Sequence, residues 1–412
     1  MNLLLTGKRA GLVAVLFAAF FLPKPACGST DPAPIRVVDG ILTRDGVPYR
    51  AVGVNYFDGF QRLLHAGPGK RDDRSYRAGL RFLQSKDIPF VRFAACGFYP
   101  SEWELYQKEP ETYFALLDGF VAEAEECGIG LIPSLFWAYF AIPDLVGEPI
   151  SAWGDQASET RAFMRQYTKD LVARYRRSPA IWAWEFGNEF LTEADLPGEV
   201  NPKKWVVPSR RTALRRTQAD VPRSEAILDA YREFAQIVRE LDPQRPILTG
   251  DAAPRVSAWN LARGNGWKID TKQEWQTALE ASNPDRIDTL SVHFYHPRSC
   301  GKGYPGYGVK GFSLEENLQT AMASAKATGK PLWLGEFGPG IGETSQQERV
   351  RQLQEFLALI EKHQIPLSAY WVYDSINPDL GVWNAVPGGE NDFVFDMIAE
   401  TNERMALGFL SR

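Results

Sequence analysis

"AIWAWEFGNEF", residues 180–190, is the stretch on which the reading of this chain turns. Up to Phe186 it is almost continuously apolar and aromatic, the pattern of a strand buried on both faces. It breaks at Gly187 and then supplies an amide and an acid, Asn188 and Glu189. A strand covered on both sides can expose a carboxylate only past its end. Glu185, inside the strand, is expected to be a buried, hydrogen-bonded structural acid.

Seven further runs have the same character: Tyr49–Asn55, Pro89–Ala94, Gly130–Phe136, Pro246–Gly250, Ile287–Phe294, Pro331–Phe337 and Leu367–Tyr373. Amphipathic helical patterns separate them, with Phe163, Tyr167, Leu171 and Tyr175 on one face, then Ile227, Tyr231, Phe234, Val238 and Leu241, then Leu353, Phe356, Leu357 and Ile360. Eight buried strands alternating with helices predict an α/β chain closed into a (β/α)8 TIM barrel. A doubly wound open sheet is the alternative, and no strand leads into the glycine-rich phosphate turn that would favour it. Ahead of the first run, two Asp-Gly pairs, Asp39-Gly40 and Asp45-Gly46, predict a β-hairpin that closes the bottom of the barrel. Long connections at Leu191–Arg223, Ala252–Asp285 and Pro297–Ser313 are expected at the C-terminal mouth.

The composition narrows the chemistry. A chain of 412 residues, 44% hydrophobic and 24% charged, has the make-up of a folded protein with a large core. Its net charge of -5, without a dense Lys/Arg run, argues against nucleic acid and anionic membranes as partners. At the N-terminus, Lys8 and Arg9 precede the apolar run Ala10–Leu22, too short to span a bilayer and suited to a secretory leader. Residues 1–28 are therefore read as a signal peptide and 29–412 as a single catalytic domain, secreted or periplasmic, with no integral membrane segment after removal of the leader. A lipid anchor on Cys27 is the alternative, disfavoured by Lys24 and Pro25. The remaining cysteines, Cys96, Cys127 and Cys300, are expected to be buried thiols, with a Cys96–Cys300 pairing as the other option. The four histidines show no HExxH or zinc spacing, and the expectation is a monomer without metal or cofactor.

In a barrel of this kind the catalytic groups stand at the C-terminal ends of the strands. Glu189 follows the fourth strand and Glu336 ends the seventh, so both carboxylates are expected at one mouth. Asn188-Glu189, His293-Phe294-Tyr295, Glu336 and Trp371, in that order at successive strand ends, resemble family 5 of the glycoside hydrolases, the cellulase and β-mannanase family of clan A. The resemblance runs over nearly the whole mature chain. It implies a retaining hydrolase acting on β-linked polysaccharide, with Glu189 as acid/base and Glu336 as nucleophile. It further implies that Asn188 meets the sugar 2-hydroxyl, that Arg92 and Tyr295 flank Glu336 and lower its pKa, that His293 supports Glu189, and that Trp371 stacks under the sugar. His296 is read as a substrate contact or an exposed residue. The chain departs from the family pattern at Phe136, in Ser134-Leu135-Phe136-Trp137, where many members carry histidine, and at Phe190, where proline is common. The aromatic residues Trp137, Tyr139, Trp153, Trp205, Trp259, Trp267, Trp275, Tyr304 and Tyr307 are candidates for sugar platforms or for loop packing. A non-catalytic binding barrel, a transglycosylase and a metal-dependent hydrolase are the competing readings.

Overall fold

A computed structural model describes residues 33–65, 75–296, 307–340 and 345–410. The expected leader, Cys300 and Tyr304 lie outside them. Three short strands come first: β1 (Ile35–Val38), β2 (Ile41–Arg44) and β3 (Val47–Pro48). They form two antiparallel hairpins in series, one more than the sequence reading expected. Each turns on an Asp-Gly pair with both residues at positive φ, 50° and 75° at Asp39 and Gly40, and 52° and 81° at Asp45 and Gly46. That geometry matches the twist of the flanking strands.

Eight parallel strands follow: β4 (Ala51–Asn55), β5 (Phe90–Ala94), β6 (Gly130–Phe136), β7 (Trp184–Gly187), β8 (Ile247–Leu248), β9 (Leu290–Tyr295), β10 (Leu332–Gly338) and β11 (Leu367–Tyr370). Their order, β8-β7-β6-β5-β4-β11-β10-β9, is that of a (β/α)8 barrel with one seam. Between β8 and β9 the ladder gives way to specific bonds. The Asp288 N–H donates to the Ile247 carbonyl (2.9 Å), and the Asn283 Oδ1 accepts from both the Thr249 hydroxyl and the Ser291 N–H, each at 3.1 Å.

Two cores hold the barrel. The larger lies between strands and helices and takes the faces predicted from periodicity, including Tyr167, Leu171, Ile227, Phe234, Val238, Phe356 and Ile360. The smaller fills the lower interior, where Ile35 and Leu42 of the hairpins meet Phe90, Ile132, Trp182, Leu248 and Trp333. The hairpins therefore plug the bottom of the barrel. Gly130 stands beside this plug because a Cβ there would come within 2.1 Å of the Trp182 ring. The first barrel strand is tied to the last described helix: Val52 of β4 exchanges two hydrogen bonds, 2.8 and 2.9 Å, with the Asn402 side chain of the helix Phe393–Leu410.

Replacing Asn283 by Ala leaves two buried groups at the seam without their acceptor, so stability should fall by about 2–4 kcal/mol. Denaturant unfolding measures the loss, and hydrogen exchange at residues 247–251 should accelerate ahead of the rest of the barrel.

Candidate active site

Arg92 stands at the centre of the barrel mouth, fully buried on β5. Its Nε donates to Glu185 Oε1 (2.7 Å), its Nη1 to Glu336 Oε1 (2.9 Å) and Asn55 Oδ1 (3.1 Å), and its Nη2 to Asn188 Oδ1 (2.8 Å). One guanidinium thus ties together residues of β4, β5, β7, β10 and the turn after β7. The other oxygen of Glu185 accepts from the Trp333 indole N–H (3.1 Å), and Glu185 is 0% exposed. It is the satisfied structural acid expected from the sequence.

Glu336 sits within β10, where the register with β9 and β11 shifts between Leu334 and its neighbours. Its Oε2 accepts from the Tyr295 hydroxyl at 2.5 Å, while Arg92 holds Oε1. The expected lowering of its pKa does not follow. Burial pushes the carboxyl above the usual range, His293, Arg92 and the Tyr295 hydroxyl pull it back, and Glu189 adds to the rise. Burial is the largest of these effects, so the net direction is upward.

Glu189 lies two residues beyond β7 in left-handed backbone, φ 54° and ψ 34°, a conformation that L-residues adopt at a cost of about 1–3 kcal/mol and that concentrates at functional sites. Its side chain is 30% exposed and its Oε1 meets His293 Nδ1 at 2.8 Å. Burial raises its pKa to about 7, against the pull of Arg92 and Arg255. Burial also depresses His293 to about 4, so the imidazole is neutral. Its Nε2 has no partner and faces Gly335, where a Cβ would approach to 2.7 Å. A proton on Nδ1, donated to Glu189, leaves no buried N–H unpaired.

Trp371, directly after β11, stacks on Trp137 with ring centroids 6.0 Å apart and planes at 21°. Trp137 also covers the Arg92 guanidinium at 4.5 Å. These groups open onto a cleft of about 1380 Å3 lined by Asn188, Glu189, His293, Tyr295, Glu336 and Trp371. All the predicted site residues on the mouth therefore converge, with Arg92 beneath them.

A family model described as Cellulase (glycosyl hydrolase family 5) matches residues 63–375. The chain belongs to this family. Among its relatives, the mannan endo-1,4-β-mannosidase F of Aspergillus fumigatus is 25% identical over 229 residues, 54% of this chain and 43% of the relative. A probable mannan endo-1,4-β-mannosidase F of Aspergillus flavus is 28% identical over 293 residues, 65% of this chain and 52% of the relative. The match thus spans about half the length of these curated relatives. The endo-1,4-β-mannanase structure from Rhizomucor miehei superposes with a TM-score of 0.62 at 16% identity, over 90% of this chain and 99% of that one, a likeness of fold.

Family membership makes the departures informative. The Phe136 side chain packs among Trp103, Trp153, Tyr167 and Phe186, away from the cleft. The residue after β6 that faces the substrate space is Trp137. Phe190 is likewise core, against Phe186 and Trp153. Of the aromatic candidates, Trp137, Tyr139, Trp205, Trp267 and Tyr307 line the cleft, whereas Trp153 and Trp275 are fully buried and Trp259 lies under the Arg263 guanidinium. Trp205 is held in place by a stack on Phe140 (5.4 Å), beneath which Arg216 pairs with both oxygens of Asp144. His296 is buried and bonded to Glu355 at 3.2 Å, outside the cleft lining. Phe57, Phe98 and Trp383 also line the cleft and were missed, since single aromatics after a strand carry no motif. Cys96 and Cys127 are buried thiols. Among the described residues, Glu189, His293 and Glu336 form the one trio whose ligand atoms could converge on a metal, within 4.8 Å of one another.

Glu185→Gln should destabilise the barrel by about 3–5 kcal/mol, because it leaves half of a buried guanidinium uncompensated. A thermal melt measures this. Loss of turnover at an unchanged melting point would contradict a structural role for this acid.

Proposed function

We propose that this chain hydrolyses β-linked polysaccharide, β-1,4-mannan or β-1,4-glucan, by a retaining double displacement. The observation that carries the reading is the closeness of the two cleft carboxylates: an oxygen of Glu189 and one of Glu336 lie within 4.8 Å of each other. A separation of about 5–5.5 Å suits attack by one carboxylate on the sugar, whereas inverting enzymes leave about 6.5–9.5 Å for a water. Glu336 then attacks the anomeric carbon and forms a glycosyl ester as the glycosidic C–O bond breaks. Glu189 gives its proton to the departing oxygen. In the second half Glu189 takes a proton from water, the water oxygen bonds to the anomeric carbon, and Glu336 leaves as carboxylate.

The electrostatics support these roles. Glu189, with its pKa near 7, holds a proton at neutral pH and can donate it. Once Glu336 is esterified its charge is gone, which favours ionised Glu189 and so its turn as base. Arg92 fixes the oxygen of Asn188, which turns the amide nitrogen toward the sugar side, where a 2-hydroxyl would be met. Trp371 and Trp137 offer apolar faces for a pyranose ring. The mannanase names of the relatives favour β-mannan as the first substrate to test. The leader-like residues 1–28 support export.

Turnover of β-mannan, glucomannan, cellulose, mixed-linkage β-glucan and xylan by the purified protein tests the reading, with Glu336→Gln as control. Products from one glycan, absent with the variant and undiminished by excess chelator, are expected; binding without products would sink it. Glu189→Ala should lose about 10^2–10^4-fold on the glycan, and azide should restore an activated aryl glycoside, giving a β-azido sugar. The kcat/KM profile should fall as pH rises through about 7, because Glu189 loses its proton there. An alkaline limb flat to about pH 9 would rule out Glu189 as the acid.

A further inference from the structure

The turn that carries Glu189 is fastened from one side by the chain that continues β8. The Gly187 N–H donates to the Thr249 carbonyl (3.2 Å) and the Glu189 N–H to the Gly250 carbonyl (3.0 Å). Two residues on, where the next carbonyl of a ladder would be needed, the Leu191 N–H donates instead to Asp251 Oδ1 (3.0 Å). The second oxygen of Asp251 accepts from the Tyr231 hydroxyl at 2.6 Å, and Tyr231 belongs to the helix Ser224–Leu241. Asp251 and Tyr231 are 1% and 0% exposed. Gly250 permits this approach, because a Cβ at that position would stand 2.0 Å from the Gly187 carbonyl oxygen.

Left-handed backbone at a residue such as Glu189 persists where the surrounding structure gives it support. The Gly250 carbonyl supplies it at Glu189 itself and Asp251 supplies it at Leu191. A carboxylate is an acceptor-only group that can take both donors at once. Burial, with Glu189 and Glu185 nearby, raises its pKa to about 7, and the bonds from the Leu191 N–H and the Tyr231 hydroxyl work the other way, favouring the ionised acceptor. The sequence offers no motif for it: Asp251 lies in the run Thr249-Gly250-Asp251, which reads as an ordinary strand end.

We propose that Asp251 is a positioning residue for Glu189: by replacing a strand carbonyl under Leu191, it holds the turn so that the acid/base carboxyl meets the leaving oxygen. The proposal rests on the reading of Glu189 as acid/base. Asp251 does not touch substrate. Its effect is confined to steps that need a well-aimed proton, and protonation of a poor leaving group is the most demanding of them.

The test compares wild type, Glu189→Ala, Asp251→Ala and Asp251→Asn on mannotetraose or cellotetraose, whichever is turned over, and on the matching 2,4-dinitrophenyl β-bioside, which departs without a proton. Competent enzyme is counted by the burst of dinitrophenolate from a 2-fluoro glycoside, so that misfolded protein does not enter the rates. Asp251→Ala should lose about 10- to 100-fold in kcat on the tetraose with KM within about threefold, and less than about threefold in kcat/KM on the activated bioside. Asp251→Asn keeps an oxygen for Leu191 and should recover most of the loss. If Glu189→Ala shows this leaving-group dependence and Asp251→Ala loses both substrates equally or neither, the positioning role is wrong while the acid/base reading stands. If Glu189→Ala itself shows no such dependence, both fall.

Discussion

The site depends on one buried cation. Arg92 is enclosed by two carboxylates, two amide oxygens and the face of Trp137. A guanidinium in that setting is tolerated because each edge of its fork is used, and removing a partner from such a buried pair costs about 3–5 kcal/mol. The same bonds fix distances. Glu336 cannot drift from Asn188, nor β7 from β10, without stranding the charge. Stability of the barrel interior and geometry of the mouth are thus set by the same five groups.

Around that cation the two cleft acids are given unlike partners. Glu336 is gripped on both oxygens, by Arg92 and by the Tyr295 hydroxyl. Glu189 is held through one oxygen, by a histidine that burial keeps neutral, and remains partly open to the cleft. A neutral imidazole orients without supplying charge, which leaves burial free to keep the proton on Glu189.

The eight strands were legible because a strand buried on both faces leaves a dense apolar record, and Glu189 and Glu336 because each closes such a record with an acid. The second hairpin was written in Asp45-Gly46, yet two closely spaced turns were read as one element. What the sequence hid were contacts set by side-chain direction. Phe136 and Trp137 are adjacent aromatics, and only the course of the chain after β6 decides which of them faces the cleft. The direction of the Glu336 pKa was misjudged because a neighbouring arginine is visible in sequence whereas the depth of burial and the nearness of Glu189 are not. Asp251 escaped notice altogether, as its work is done on a backbone N–H of another loop.

The meeting of β4 with β11 and the helix Phe393–Leu410 has a temporal meaning. β4 is the first of the eight barrel strands in chain order, but one of its edges pairs with β11 and its Val52 is bracketed by Asn402. Asn402 stands 350 residues beyond Val52 in the chain. Until then the growing sheet has an open edge at β4, and the lower interior is covered on that side only by the hairpins that precede it. The edge of β4 is therefore paired only once β11 is in place, and contacts of such long sequence separation generally slow folding. The N-terminal plug packs against strands made both early and late, from Phe90 to Trp333 and Leu367, so its apolar face is fully covered only when the last strands arrive.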